Sequence, residues 1–285
     1  MEEGGRKFDP NFESFAMHLT HARSLLFLPA SNARAIEKAR GLACDMVILD
    51  LEDAVADDKK KDARAALKTA FDTGFGDRIG AVRVNEAGSD HYHADCAALA
   101  GVAAQLIILP KVETPSQAQG LHETTGKPVI AMIESPLGVA NARSIAATQG
   151  VTGLFMGNND LRHDLRIPMD ADRSGLMLSM QEVILAARLA GKAVFDGVYN
   201  KLDDPDGFRA ECLDGRNLGF DGKTLIHPNQ IGPANEIFGP SEQELADARA
   251  LIAAATGGAE RFEGRMIEAM HVSQAHALLE KAGAA

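Results

Sequence analysis

The sequence predicts an α/β fold, a (β/α)8 barrel with a C-terminal helical extension, and three observations lead there. Eight short apolar runs alternate with helical segments; no hairpin signal joins one run to the next; no glycine-rich phosphate-binding fingerprint follows the first run. Runs separated in this way pair in parallel, because a right-handed crossover returns each strand beside its predecessor. Eight such units can close on themselves, and a chain of 285 residues accommodates the roughly 250 that such barrels use. An open doubly wound sheet is the alternative, and the missing fingerprint removes the main reason to prefer it.

The elements follow in order. Residues 1–22 carry charges and three phenylalanines but no continuous apolar run, so they read as an extended arm, not a signal peptide or a membrane span. Arg23-Ser-Leu-Leu-Phe-Leu-Pro29 is the first strand, and Ser31 or Asn32 caps a helix reaching about Ala43. The second strand covers 46–53, with a charged helix from Asp57 through Leu67; the third covers 81–85, with a helix near 92–100. The fourth covers 105–111, with a helix from about Ser116, and the fifth and sixth cover 129–134 and 153–157. A long amphipathic helix over 174–191 ends at Gly191, followed by a strand at 193–198, a helix at 204–218 and the eighth strand at 222–227. The barrel therefore occupies 23–238. Beyond Gly239-Pro240, helices at 241–255 and 265–283 flank a glycine-rich joint at 256–264. A barrel does not need them, so 239–285 reads as a lid or a subunit contact.

Composition narrows the function. With 46% hydrophobic residues, 5% aromatics and no tryptophan, the core is aliphatic. A net charge of −11 argues against general affinity for nucleic acid or anionic membrane, so an anionic ligand needs a local nest of Arg and Lys. Cys44, Cys96 and Cys212 are widely spaced and odd in number, as expected of unpaired thiols in a reducing cytoplasm.

The stretch Val129-Ile-Ala-Met-Ile-Glu-Ser-Pro-Leu-Gly138 is a strand apolar on both faces that delivers Glu134 at its C-terminal end. Leu154-Phe-Met-Gly-Asn-Asn-Asp160 repeats the pattern and delivers Asp160. Two acids side by side at successive strand ends need a cation, and few, all-oxygen ligands suit Mg²⁺. The alternative is two loop carboxylates at helix N-termini. The remaining strand ends carry Pro29, Asp50, Glu52, Asp53, Arg83, Asn85, Lys111, Asp196 and His227, and barrel chemistry sits at that rim.

Alternation prevents Asp50, Glu52 and Asp53 from all facing one way, so at least one of them serves the loop. Arg83 is a clamp for a substrate carboxylate or developing oxyanion, or else a structural ion-pair partner. Lys111 reads as an ion-pair partner and His227 as a loop-orienting residue. His91 and His93 lack a third ligand nearby. Arg34 and Lys38, four apart on the first helix, share a face that could hold the phosphates of an anionic cofactor.

Eight motifs resemble the citrate lyase β-subunit-like group of the HpcH/HpaI aldolase superfamily. They are the 23–29 run, Leu49-Asp-Leu-Glu-Asp-Ala-Val55, Val82-Arg-Val-Asn85, Leu109-Pro-Lys-Val112, Ile133-Glu-Ser-Pro-Leu-Gly138, Gly157-Asn-Asn-Asp-Leu161, Asp196-Gly-Val-Tyr199 and Gly222-Lys-Thr-Leu-Ile-His-Pro228. The resemblance, from about residue 23 to the C-terminus, implies a TIM barrel that cleaves a malyl-CoA or citramalyl-CoA type thioester into an oxo acid and an acyl-CoA. It implies Mg²⁺ on Glu134 and Asp160, Arg83 on the oxo-acid part, and coenzyme A near Phe27, Asn32 and Lys38, to which the helix spacing adds Arg34. It also implies a homotrimer or homohexamer whose C-terminal segment covers a neighbour's site and supplies a carboxylate. The lyases typically place Asp there; this chain reads Gly264-Arg-Met-Ile-Glu-Ala-Met-His271, with Glu268. An extra methylene displaces a carboxylate by about 1 Å, enough to alter proton-transfer geometry. Malyl-CoA thioesterases in the family resemble the chain in having Glu. A β-subunit acting on a carrier-protein thioester, or a non-catalytic scaffold, are the remaining alternatives.

Overall fold

Aliphatic runs become short parallel strands here because side chains on both faces find cover. The computed structural model describes residues 19–168 and 170–283. Eight strands close in sequential order, each hydrogen-bonded to the next and the last to the first: β1 (Ser24–Pro29), β2 (Met46–Asp50), β3 (Ile79–Arg83), β4 (Leu106–Leu109), β5 (Val129–Ile133), β6 (Val151–Met156), β7 (Ala193–Asp196) and β8 (Gly222–Leu225). The predicted (β/α)8 barrel is the observed fold. Helices α1 (Ala33–Ala39), α2 (Lys60–Thr73), α3 (Tyr92–Ala98) and α4 (Pro115–Thr125) follow the first four strands. After β5 comes α5 (Pro136–Ala146), after β6 come α6 (Asn158–Asp164) and α7 (Met177–Leu189), after β7 comes α8 (Pro205–Leu218), and after β8 comes α9 (Ile231–Phe238).

Side-chain alternation splits the core into two layers. Leu25, Met46, Ile48, Phe155 and Phe195 fill the barrel interior, joined by Leu19 from the chain just before β1. Val47, Leu49, Val82, Leu154 and Val194 face the helices. Of the predicted arm, residues 1–18 lie outside the described residues.

Three helices escape the sequence reading. α5 begins at Pro-Leu-Gly, which resembles a turn, but Ser135 caps it by accepting from the N–H of Gly138 at 3.1 Å, with Pro136 in the first turn. α6 and α9 are only two turns long and follow their strands closely.

The C-terminal segment also differs from expectation. α10 (Glu242–Ala254) is followed by a two-stranded hairpin, β9 (Glu260–Phe262) and β10 (Arg265–Ile267), and α11 (Ala269–Lys281) starts four residues later than predicted. The hairpin turns through Glu263 (φ 47°) and Gly264 (φ 81°), the two left-handed residues a tight two-residue turn demands. α10 and α11 pack through Ala248, Ala275 and Leu279. Lys281 Nζ donates to the carbonyl of Asp221 at 2.9 Å, just ahead of β8. Leu245 and Lys281 border an open cavity of about 790 Å³ with Arg23, Asp45 and Ile79. Within its own chain this segment therefore rests at the N-terminal ends of the strands, opposite the predicted rim. No described helix is long and apolar enough to cross a membrane, and all three cysteines are buried and unpaired.

Candidate active site

Register builds the first part of the site. β2 and β3 align Asp50 with Arg83, and both side chains share the inward parity of Ile48 and Ala81. Arg83 Nε and Nη2 donate to Asp50 Oδ1 and Oδ2 at 2.7 and 2.6 Å, a two-pronged pairing that fixes the guanidinium plane. Nη1 lies 2.9 Å from Glu52 Oε2 and faces the Met132 sulfur at 4.0 Å. The guanidinium carbon stands 4.9 Å from the centre of the Phe27 ring. Burial opposes the arginine's charge, but the bonds to Asp50 and the nearby charges of Asp50 and Glu52 outweigh it and raise its pKa. One N–H of Nη2 is left over, and a weak thioether contact on Nη1 is readily given up to a better acceptor.

Asp50 is the member of the acidic trio that serves the loop: it also accepts from the backbone N–H groups of Glu52 and Ala54 at 2.9 and 3.0 Å. Glu52 is held beside Arg83 from behind. Lys60, buried at the start of α2, donates to the carbonyls of Leu51 and Glu52 and to Asn85 Oδ1. Asp53 lies 3.8 Å from Arg83 with its side chain 67% exposed.

β5 supplies the second part. Glu134 is 3% exposed, and its Oε1 accepts from the backbone N–H of Lys111 at 2.7 Å. Burial, then the like charges of Asp160 and Glu52, push its pKa up to about 8. Glu52 is pushed up to about 7, because burial outweighs the pull of Arg83. Neither Glu52 oxygen has a well-aligned hydrogen bond among the described residues. Gly157 closes over Glu134: a Cβ there would stand 2.2 Å from Glu134 Oε2. Asp160, in the first turn of α6, is exposed and borders two cavities, one of about 390 Å³ in the barrel mouth and one of about 470 Å³ outside it. Lys111 Nζ stands 3.7 Å from Glu52 and 3.5 Å from Glu86, the ion-pair role expected of it.

Glu134 and Asp160 can together offer carboxylate oxygens to a small divalent cation. No group of three or more His, Cys, Asp or Glu side chains has metal-binding geometry among the described residues. Such an ion would therefore take most of its shell from water or substrate, as Mg²⁺ does, whereas catalytic Zn²⁺ usually has three protein ligands, His or Cys among them, and Ca²⁺ gathers more protein oxygens. The donor set fits.

The mouth cavity brings Phe27, Arg83 and Asp160 together with Met132, Asn158, Asn200 and Ile226, which sequence reasoning did not single out. Asn200 Nδ2 donates to Asn159 Oδ1 at 2.7 Å, tying the β7 and β6 loops. Other predicted residues lie elsewhere. Asp196 ends β7 as expected but does not face the mouth: Phe195 takes the inward position, and Asp196 turns outward to Lys223 at 2.8 Å and Arg173 at 3.0 Å. Asn85 turns away to Asp95. His227 Nδ1 accepts from the N–H of Asn229 at 3.2 Å and so orients its loop. Asn32 caps α1 by accepting from Ala35 N–H, while Arg34 and Lys38 are exposed on the same helix. Glu268 is the N-cap residue of α11, and its N–H donates to His271 Nδ1 at 2.9 Å. It borders neither cavity beside Asp160.

A closed parallel barrel with a cluster of buried charges at its C-terminal mouth is the architecture of a barrel enzyme. The chain belongs to the HpcH/HpaI aldolase/citrate lyase family, which residues 23–228 match. It is 44% identical to a (3S)-malyl-CoA thioesterase of Cereibacter sphaeroides, over 94% of this chain and 97% of that one. It is 35% identical to a citrate lyase subunit beta-like protein of Deinococcus radiodurans, covering 90% and 96% of the two chains. The fold superposes with a TM-score of 0.81 on CitE of Mycobacterium tuberculosis in complex with magnesium, acetoacetate and coenzyme A, at 34% identity over 93% of this chain and 99% of that one.

Proposed function

We propose that this protein is a Mg²⁺-dependent enzyme acting on a 3-hydroxy-3-carboxyacyl-CoA thioester of the malyl-CoA type. The observation that carries the reading is Glu134: a buried carboxylate pressed by two other acids and pinned by Gly157, in a place that a cation relieves. The likeness to a malyl-CoA thioesterase over nearly the whole chain supports hydrolysis of the thioester to malate and coenzyme A. Carbon–carbon cleavage to an oxo acid and an acyl-CoA is the second reading, supported by the planar Arg83 clamp facing the mouth and by the likeness to CitE with acetoacetate.

Bound at Glu134 and Asp160, Mg²⁺ would supply Lewis-acid polarisation of the substrate's oxygens. The chain's own groups do the rest. Arg83, held flat by Asp50, offers its remaining N–H groups to the substrate's carboxylate or to a developing oxyanion. Phe27 and Met132 line the mouth with apolar surface. Asn32, Arg34 and Lys38 present the exposed end of α1 to coenzyme A phosphates. Glu268, remote from its own cavity, serves a neighbouring subunit: in hydrolysis it takes a proton from the attacking water, and in cleavage it protonates the departing enolate. A cytoplasmic homotrimer or homohexamer completes the reading, with 239–285 covering a neighbour's rim.

Incubation with malyl-CoA and either Mg²⁺ or chelator decides among these outcomes. Free coenzyme A without glyoxylate identifies the hydrolase; glyoxylate matched by acetyl-CoA identifies the lyase; no Mg²⁺-dependent product overturns the reading. Mixed oligomers of Glu268→Ala and Glu134→Ala subunits, each inactive alone, regain part of the activity if Glu268 crosses the interface. Glu268→Ala alone is expected to lose roughly 10²–10⁴-fold in rate.

A further inference from the structure

Where the described backbone turns left-handed, the chain uses glycine at eleven positions and another residue at three: Lys111, Arg166 and Glu263. Lys111 is the one of the three that lies beside Glu134. With φ at 50°, its N–H donates to Glu134 Oε1 at 2.7 Å. A glycine would supply the same N–H with less strain, so that bond alone does not account for a lysine. The side chain does. Its Nζ stands 3.7 Å from Glu52 Oε1 and 3.5 Å from Glu86 Oε2, and it lines both cavities beside the mouth, of about 330 and 470 Å³. Glu52 is otherwise loosely held. Arg83 faces its Oε2 at 2.9 Å, and neither oxygen has a well-aligned hydrogen bond among the described residues. The carboxylate is also close enough for its charge to press on Glu134.

We propose that Lys111 is a positioning residue that keeps Glu52 out of the cation's ligand set, so that two carboxylates meet the ion instead of three. The inference rests on the Mg²⁺ reading above and adds a source of metal selectivity to it. Ligand number separates the two common hard cations. Ca²⁺ gathers roughly six to eight oxygens in a flexible shell, whereas Mg²⁺ demands a strict octahedron and keeps several waters. A third carboxylate therefore favours Ca²⁺. Holding Glu52 by its Oε1, opposite the oxygen that Arg83 faces, withholds that carboxylate without Lys111 touching the ion. A simple charge effect acts differently: removing a nearby ammonium helps both ions alike, because they carry the same charge in the same place.

Calorimetric titration of the full-length protein with Mg²⁺ and with Ca²⁺, in the absence of substrate, tests this. In Lys111→Met the ratio of the Ca²⁺ to the Mg²⁺ binding constant should rise about tenfold or more. Lys111→Arg keeps the charge and should hold the ratio near that of the parent. Adding Glu52→Gln to Lys111→Met should bring the ratio back, because the third carboxylate is then gone. Should Lys111→Met fail to fold, Lys111→Gly decides: it suits the left-handed backbone, keeps the N–H and removes only the ammonium. Both constants rising together would make Lys111 a background charge and overturn the proposal, as would a raised ratio that survives Glu52→Gln. A parent that binds neither ion overturns the Mg²⁺ reading and this inference with it. A parent that binds Mg²⁺, with variants whose ratio is unmoved, overturns this inference alone.

Discussion

Two buried charge clusters sit in this barrel, on opposite faces of neighbouring parts of its wall, and they differ in balance. Asp196 and Lys223 are paired in register across β7 and β8, both wholly buried, with Arg173 and Glu211 completing a tight set outside the barrel. Burial alone would raise the pKa of Asp196, but Lys223 and Arg173 reverse that and hold it below its ordinary value. Glu134, Glu52 and Asp160 gather at the mouth with Arg83 already committed to Asp50, and Glu134 rises to about 8. Asp196 and Glu134 are similarly buried, yet their pKa values move in opposite directions, because one has cations beside it and the other is pressed by further acids. The first is balanced within the chain; the second is the one to which the proposed function assigns a cation.

Breaking the deficient cluster should have the largest effect. Glu134→Gln keeps the shape and removes a ligand, and is expected to cost about 5 kcal/mol or more in Mg²⁺-dependent transition-state stabilisation. Its metal-free form at pH 8 should unfold no more easily than the parent, since a repelled charge has gone. Initial rates and urea melts measure both, and a normal rate would put this carboxylate on the structural side of the comparison.

The balanced cluster should fail in the opposite sense. Lys223→Met strands Asp196 and should remove about 3–5 kcal/mol of stability, read from urea unfolding. Adding Asp196→Asn should return part of it. An undiminished midpoint in Lys223→Met would mean that Arg173 alone balances the site.

Arg83 belongs to both kinds of arrangement, so Arg83→Lys sharpens the contrast. It keeps the charge and loses the planar fork, and kcat/KM is expected to fall by about 2–4 kcal/mol with circular dichroism unchanged. An unaltered kcat/KM assigns Arg83 to ion pairing only.

The smallest effect is a pH dependence. The carboxyls of Glu134 and Glu52 are raised from 4.5 to about 8 and about 7, so in metal-free protein their contribution to stability is complete below about pH 4.5 and fades as pH rises through those values. Mg²⁺ competes with the same protons. Its apparent affinity should rise up to tenfold, about 1.4 kcal/mol, per unit toward pH 8 and then level. Titration calorimetry at pH 6, 7, 8 and 9 checks this, and a flat affinity across that range contradicts it.

The barrel was legible because most of its strands are runs of apolar residues too short to be a helix and too well covered to alternate; β8, Gly-Lys-Thr-Leu, is the exception. Glu134 was placed by the run it directly follows, whereas Asp160 stands four residues past its run, in the first turn of α6. Asp196 ends its strand as read but faces the other way, although the signal was present: it follows Phe195, and only one of two adjacent strand residues can point inward. The grip of Gly157 on Glu134 depends on strands two dozen residues apart meeting at a fixed register, which no local pattern shows. The hairpin at 260–267 was hidden for another reason. Its strands are three residues each, and its turn residue Glu263 adopts a left-handed conformation that glutamate seldom takes.

The seam between β1 and β8 joins Leu25 to Thr224, about 200 residues later. A ribosome adding roughly 5–20 residues per second reaches the eighth strand on the order of 10–40 s after the first has emerged. For that interval β1 has one open edge, and the inner faces of Leu25 and Phe27 wait for a cylinder not yet closed. Newborn chains are therefore most vulnerable to clumping just before completion, and slower synthesis through α8 would lengthen the exposure.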